Sequence, residues 1–128
     1  MKTNTLILVM VSALLAGCAL PDLFYIGNLD SHDRAIFREA ASMEGAETID
    51  WPAPGAWIVT YGAPQHQEGE TWPGAIFLKE SQDPVSTCPR DQQFLVSARH
   101  ELGHSRGESH SANPNVVMHF PSPCYPTD

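Results

Sequence analysis

His100-Glu101-Leu102-Gly103-His104-Ser105-Arg106-Gly107-Glu108-Ser109-His110 is the stretch from which the rest of the chain is read. It has the form H-E-x-x-H-x-x-G-x-x-H. His100 and His104 are four residues apart, so on a helix both imidazoles project from one face toward one point. Glu101 lies about 100° further round, where it reaches a water on a metal rather than the metal itself. Gly107 lets the chain leave the helix sharply, at a positive φ that other residues disfavour. The turn returns His110 as a third nitrogen donor. Three histidines with one open position make a catalytic zinc geometry, whereas a structural zinc is closed by four protein ligands. With this chain's own residue frequencies the five fixed positions arise by chance at a rate of roughly 5 in 10⁵. The competing readings are incidental surface histidines and a metal site without activity. Glu101 speaks against the second, because a zinc kept only for structure has no use for it.

Working upstream, Pro89 suits the first turn of the motif's helix and Asp91 follows two residues on. Leu95, Ala98 and Leu102 give that helix one apolar face, and it runs to about Ser105. Ala75-Ile76-Phe77-Leu78 and Trp57-Ile58-Val59-Thr60-Tyr61 read as strands, the latter bounded by Gly55 and Gly62. Between them Gln65 to Glu70 reads as a polar loop, with His66 solvated. Asp30 to Met43 reads as a helix with Asp30 as cap, Asp33 as an acid in its first turn and Gly45 at its end. Its buried stripe is predicted as Ile36, Ala40 and Met43, widened by Phe37 and Ala41. His32, early in this helix, is given no role. Leu23 to Ile26 is a first strand. Downstream of His110, Pro114, Pro121, Pro123 and Pro126 predict an irregular tail. The order β-α-β-β-α-coil predicts an α+β fold. It consists of a small mixed sheet of three to five strands, a backing helix, an active-site helix and a short irregular C-terminal part.

The first residues read as an address. Lys2 precedes an apolar run of 11 residues, Leu6 to Ala16, too short for the ~20 helical residues that span a bilayer but fitting a secretory signal. Leu15-Ala16-Gly17-Cys18 resembles the bacterial lipobox. That resemblance implies a signal peptide over 1–17, a lipidated Cys18 and one domain over 18–128. It also implies a lipid anchor in the bacterial cell envelope, with Ala19 favouring the outer membrane where there is one. The precursor has 128 residues and net charge −8; without residues 1–17 it has 111 residues and loses Lys2, giving 6 − 15 = −9. An acidic chain without a basic run is a poor nucleic-acid binder. No partner subunit is implied, and a monomer is expected. In an oxidising compartment Cys88 and Cys124 can pair, closing a loop of 37 residues, with two free thiols as the alternative.

The motif resembles that of the metzincin zinc metalloproteases, firmly over residues 94–121 and elsewhere only by element order. The resemblance implies that His100, His104 and His110 hold one catalytic Zn²⁺. It implies peptide-bond hydrolysis with Glu101 as general base. It places a Met-turn beneath the zinc, with Met118 of Val116-Val117-Met118-His119-Phe120 in that role. His110-Ser111 is similar to the matrixin branch, and Met118-His119-Phe120 to the Met-His-Tyr of astacins. Phe120 lacks the astacin hydroxyl, so it is expected as an apolar wall of the substrate pocket beyond the cleaved bond. His119 is expected either behind the metal site, in contact with substrate, or solvated. Arg106 and Glu108 depart from the leucines usual around this glycine in matrixins, implying a thinner core under the turn. In the family the substrate pairs with a sheet edge formed shortly before the active-site helix, which corresponds to about 74–79. The expected partners are a protein or peptide substrate and the membrane. A non-proteolytic zinc-binding envelope lipoprotein and a cell-wall peptide amidase remain as alternative functions.

Overall fold

The computed structural model describes residues 23–62, 68–80 and 87–128. The signal-like segment, Cys18 and His66 lie outside the described residues. The elements are β1 (Leu23–Tyr25), α1 (Ser31–Met43), β2 (Glu47–Ile49), β3 (Trp57–Tyr61), β4 (Gly69–Trp72), β5 (Ala75–Leu78) and α2 (Arg90–Ser105). The strands form one sheet in the order β2-β1-β3-β5-β4. The first four are mutually parallel, and β4 runs antiparallel to β5. The fold is thus α+β with a five-stranded mixed sheet, as the sequence predicts.

Two strands were hidden in the sequence. Glu47-Thr48-Ile49 is three residues long and lies at one edge. Gly69-Glu70-Thr71-Trp72 lies at the other edge and falls partly in the predicted polar loop. An edge strand wet on its outer side needs no apolar alternation, so its sequence does not announce it. The finding corrects the predicted substrate edge. Residues 75–78 pair on both sides, with β3 and with β4, so they are internal. The turn at Pro73-Gly74, with Gly74 at φ 81°, folds β4 against β5 and leaves β4 outermost.

One face of the sheet supplies Phe24, Val59, Ile76 and Leu78 to the core. Phe37, Ala40 and Ala41 of α1 and Phe94, Ala98 and Leu102 of α2 close over them. The stripe on α1 is turned relative to prediction: Asp33 is buried with Phe37, whereas Ile36 is only partly buried and Met43 is 52% exposed. An ion pair is the reason. Arg90 Nη2 donates to Asp33 Oδ2 at 2.9 Å, Arg90 Nη1 donates to Asp33 Oδ1, and Tyr61 Oη donates to Asp33 Oδ2 at 2.7 Å. Burial works against the Asp33 carboxylate, but Arg90 and Tyr61 together outweigh it and hold its pKa below the usual value. At the far end, Glu44 beyond α1 meets Arg99 at 3.4 Å and Arg106 at 3.6 Å. The helices are therefore fastened start to start and end to end, and run in the same direction.

Cys88 and Cys124 are bridged, with Cα atoms 5.7 Å apart. The bridge ties the residues before α2 to the irregular tail. Gln92 Nε2 donates to the Cys124 carbonyl and Gln93 Nε2 to the Cys88 carbonyl, each at 2.6 Å. In the chain-entropy treatment, closing a loop of this length stabilises the fold by roughly 4 kcal/mol. No helix among the described residues is long and apolar enough to cross a membrane.

Candidate metal centre

α2 carries the motif out of the core. Every residue from Val96 to Gly103 is buried. The helix then stops within one turn: the amides of Gly107 and Glu108 bond the carbonyls of His104 at 2.9 Å and Gly103 at 3.1 Å. Gly107 sits at φ 88°, in the region that favours glycine. The chain doubles back and presents His110.

The three Nε2 atoms form a nearly equilateral triangle: His100 to His104 3.1 Å, His104 to His110 3.1 Å, His100 to His110 3.2 Å. The tautomers of His100 and His104 follow from what lies behind them. His100 Nδ1 is 2.8 Å from the Val117 carbonyl, and His104 Nδ1 is 2.8 Å from the Glu108 carbonyl. A carbonyl only accepts, so in the neutral rings both Nδ1 atoms carry the proton and both Nε2 atoms present lone pairs. Ser122 Oγ lies 2.9 Å from His100 Nδ1 and donates its single proton to Val117 O at 2.7 Å. It thus accepts from His100 as a second partner. Lone pairs of neutral imidazoles aimed at one another at this range repel, and a cation among them reverses the sign. Nitrogens ~2.0–2.1 Å from a tetrahedral metal stand about 3.3 Å apart, close to the observed triangle. The trio can hold a metal ion. His100 is buried, His104 half-buried and His110 exposed, so one side of the triangle faces the cleft. Burial, with the neighbouring His104 and His110, pushes His100 below the ordinary histidine pKa against the pull of the Val117 carbonyl.

Glu101 is buried on the β4 side of the triad. A methyl group at Gly69 would stand 2.7 Å from Glu101 Cγ, so glycine is what lets β4 pass this close. The Thr71 hydroxyl donates to Glu101 Oε2 and lies 3.2 Å from the Glu101 carbonyl. Burial raises the Glu101 pKa; Thr71 and His104 lower it, and the Glu70 charge adds to the rise.

Met118 is buried with Val96 and Val117. Its sulfur packs against Gly103 so closely that a Cβ there would collide with it. The turn carrying it is closed by His119 N to Val116 O at 3.1 Å. Met118 therefore lies against the helical turn between His100 and His104. Phe120 is exposed and stacks on His110, ring centroids 5.3 Å apart at 12°. His119 turns its Nδ1 to the Pro121 carbonyl at 2.9 Å. Cys124 and Cys88 adjoin the site through the tail.

Two cavities meet at the triad. One of about 590 Å³ extends toward β4 and is lined by Trp57, Glu70, Trp72 and Pro73. The other, about 390 Å³, extends toward the disulfide and is lined by Val96, Ser97, Pro121 and Pro123. His100, Glu101, Gly69 and Phe120 border both. The structure brings the predicted His100, His104, His110, Glu101 and Phe120 together at these cavities, with Met118 behind them against Gly103, and adds Gly69, Thr71 and Ser122, which the sequence did not single out. Gly69 and Thr71 share one face of β4 by strand alternation, a signal visible only once the strand is known. Ser122 carries none. No protein-family model matches the chain, and no curated protein is significantly similar to it.

Proposed function

We propose that the chain is a zinc-dependent endopeptidase of metzincin type, tethered to the bacterial cell envelope through a lipidated Cys18. The observation that carries the catalytic reading is the convergence of three Nε2 atoms beside a buried carboxylate, at the junction of two cavities. His100, His104 and His110 hold the zinc. Bound zinc supplies Lewis acidity, polarising a carbonyl oxygen and lowering the pKa of a water. Glu101 takes a proton from water in the cleft and delivers it to the departing amine. Its burial favours this task, because a carboxyl with a raised pKa gives its proton up at a pH nearer neutrality. Thr71 fixes the carboxylate's orientation, and the Val117 and Glu108 carbonyls fix the ring orientation of two ligands. The outer edge of β4 pairs with no strand among the described residues, so an extended peptide can add to the sheet there. Phe120, stacked on His110, forms an apolar wall where the cavities meet.

The test is digestion of a peptide library by the full-length chain with and without metal. The expected result is internal cleavage that a chelator abolishes and one equivalent of zinc restores. Cleavage indifferent to the chelator, or zinc binding with no cleavage of any library, contradicts the reading.

A further inference from the structure

Residues 111–128 form neither helix nor strand, so no ladder of backbone bonds fixes the Met118 turn against α2. Its place is set by individual contacts. The Val117 carbonyl accepts from His100 Nδ1 at 2.8 Å. The Met118 carbonyl accepts from the amide of Ser111, the residue after His110, at 2.9 Å. Two successive carbonyls of one turn thus bear on two of the three histidines. His104 is held separately, by the Glu108 carbonyl.

The turn is gripped from behind by Asp128. Asp128 Oδ1 accepts from the Val117 amide at 2.9 Å, and the Asp128 main-chain oxygen accepts from Arg99 Nη2 at 2.9 Å. Arg99 is buried and directly precedes His100. These bonds close a circuit. It runs from His100 to the Val117 carbonyl, through Val117 to its amide, across Asp128 to Arg99, and along α2 back to His100. The Thr127 amide adds a bond to the Asn115 carbonyl at 2.8 Å, at the entry to the turn. Glu44, 3.4 Å from Arg99 Nε, ties the circuit to the end of α1. Val117 is only 4% exposed. Its amide therefore has little access to water, and without Asp128 the turn must shift to give it an acceptor. The Asp128 side chain serves there as an oxygen acceptor, while the cation of the circuit bonds its main chain. What the turn requires is the acceptor rather than the negative charge.

We propose that Asp128 is a positioning residue of the metal centre. Anchored by Arg99, it holds the Val117 amide and thereby sets the carbonyl that orients His100. The assignment rests on the reading that the triad holds a metal; it does not depend on peptide cleavage.

Zinc affinity of the full-length chain is measured by competition with a chromophoric chelator. Co²⁺ loaded into the same chains reports the arrangement of the ligands through its visible absorption. Asp128→Ala should bind zinc about tenfold more weakly, near the lower end of what losing support behind a ligand costs. Its Co²⁺ bands should also shift, which a general loss of stability would not produce in the folded, loaded chain. Asp128→Asn keeps an oxygen acceptor, so it should stay within about twofold of the unmodified affinity and keep the unmodified bands. Asp50→Ala breaks only an exposed ion pair with Arg38 and should change neither reading. An unchanged affinity in Asp128→Ala, or an Asp128→Asn chain as weak as Asp128→Ala, overturns the proposal. Hydrogen exchange of the unmodified chain needs no variant to fold. The Val117 amide should exchange as slowly as the His119 amide that closes the turn, and rapid exchange overturns the proposal. A chain with this pattern of zinc affinities that cleaves no peptide would sink the peptidase reading and leave the Asp128 assignment standing. A chain that binds no zinc would sink both.

Discussion

At the scale of single residues, groups of the proposed centre are held by specific neighbours. Ser122 bonds both His100 Nδ1 and the Val117 carbonyl that His100 also faces. Losing a partner behind a metal ligand typically weakens metal binding about 10–100-fold. Because the carbonyl remains, Ser122→Ala should fall near the lower end of that range, measured by competition with a chromophoric chelator. An unchanged affinity would show that the hydroxyl adds nothing. Gly69→Ala is a different test. The added methyl meets Glu101 Cγ and displaces the carboxylate, so kcat should drop at least about tenfold while zinc stoichiometry stays at one. The triad and Glu101 were legible in the sequence because they lie within eleven consecutive residues whose spacing encodes their geometry. Ser122 and Thr71 were not, because each meets its partner across a separation of 22 or 30 residues that only the fold closes.

At the scale of elements, the start and stop of α2 set the geometry of the site. Gly107 at φ 88° has no clashing neighbour where a Cβ would go, so its requirement is conformational rather than steric. A side chain there costs about 1–2 kcal/mol in the left-handed region, or a shift of the turn that carries His110. Gly107→Ala should therefore lose metal affinity more than it loses helix content, as seen by metal titration beside far-ultraviolet circular dichroism. Helix α1, β3 and β5 were readable from their caps, apolar runs and bounding glycines. Helix α1 was nonetheless read a fraction of a turn out of phase. The reason is that Asp33, a residue that periodicity assigns to water, is buried by Arg90 from the other helix. Strands β2 and β4 were unreadable because short edge strands carry little apolar pattern.

At the scale of the whole molecule, a small core is reinforced by two polar fastenings and a covalent one. The Asp33 carboxyl has a lower pKa folded than unfolded, so its ion pair stabilises the fold fully above the unfolded carboxylate range near ~3.9. That contribution is lost as pH falls through the lower folded value. Thermal melting of the unmodified chain should therefore steepen in its pH dependence below about pH 4. Asp33→Asn should melt lower at neutral pH and show a shallower acid limb; an identical acid limb would exclude Asp33 as its source. Cys88–Cys124 joins the N-terminal side of α2 to the tail that bears Ser122. Reduction, or paired replacement by serine, should cost about 2–5 kcal/mol. Near the lower value that corresponds to a fall in Tm on the order of 10 °C for a domain of this size. The same treatment should weaken metal binding, because Ser122 and Phe120 belong to the segment the bridge secures.

The central claim is that the three histidines hold a zinc that works with Glu101 to cleave peptides. Its most direct test is Glu101→Gln, with zinc content and peptide cleavage measured on the same sample. The account predicts one zinc per chain in both proteins and a loss of kcat of about 10²-fold or more in the variant. A variant that retains its zinc and cleaves at the unmodified rate would contradict it.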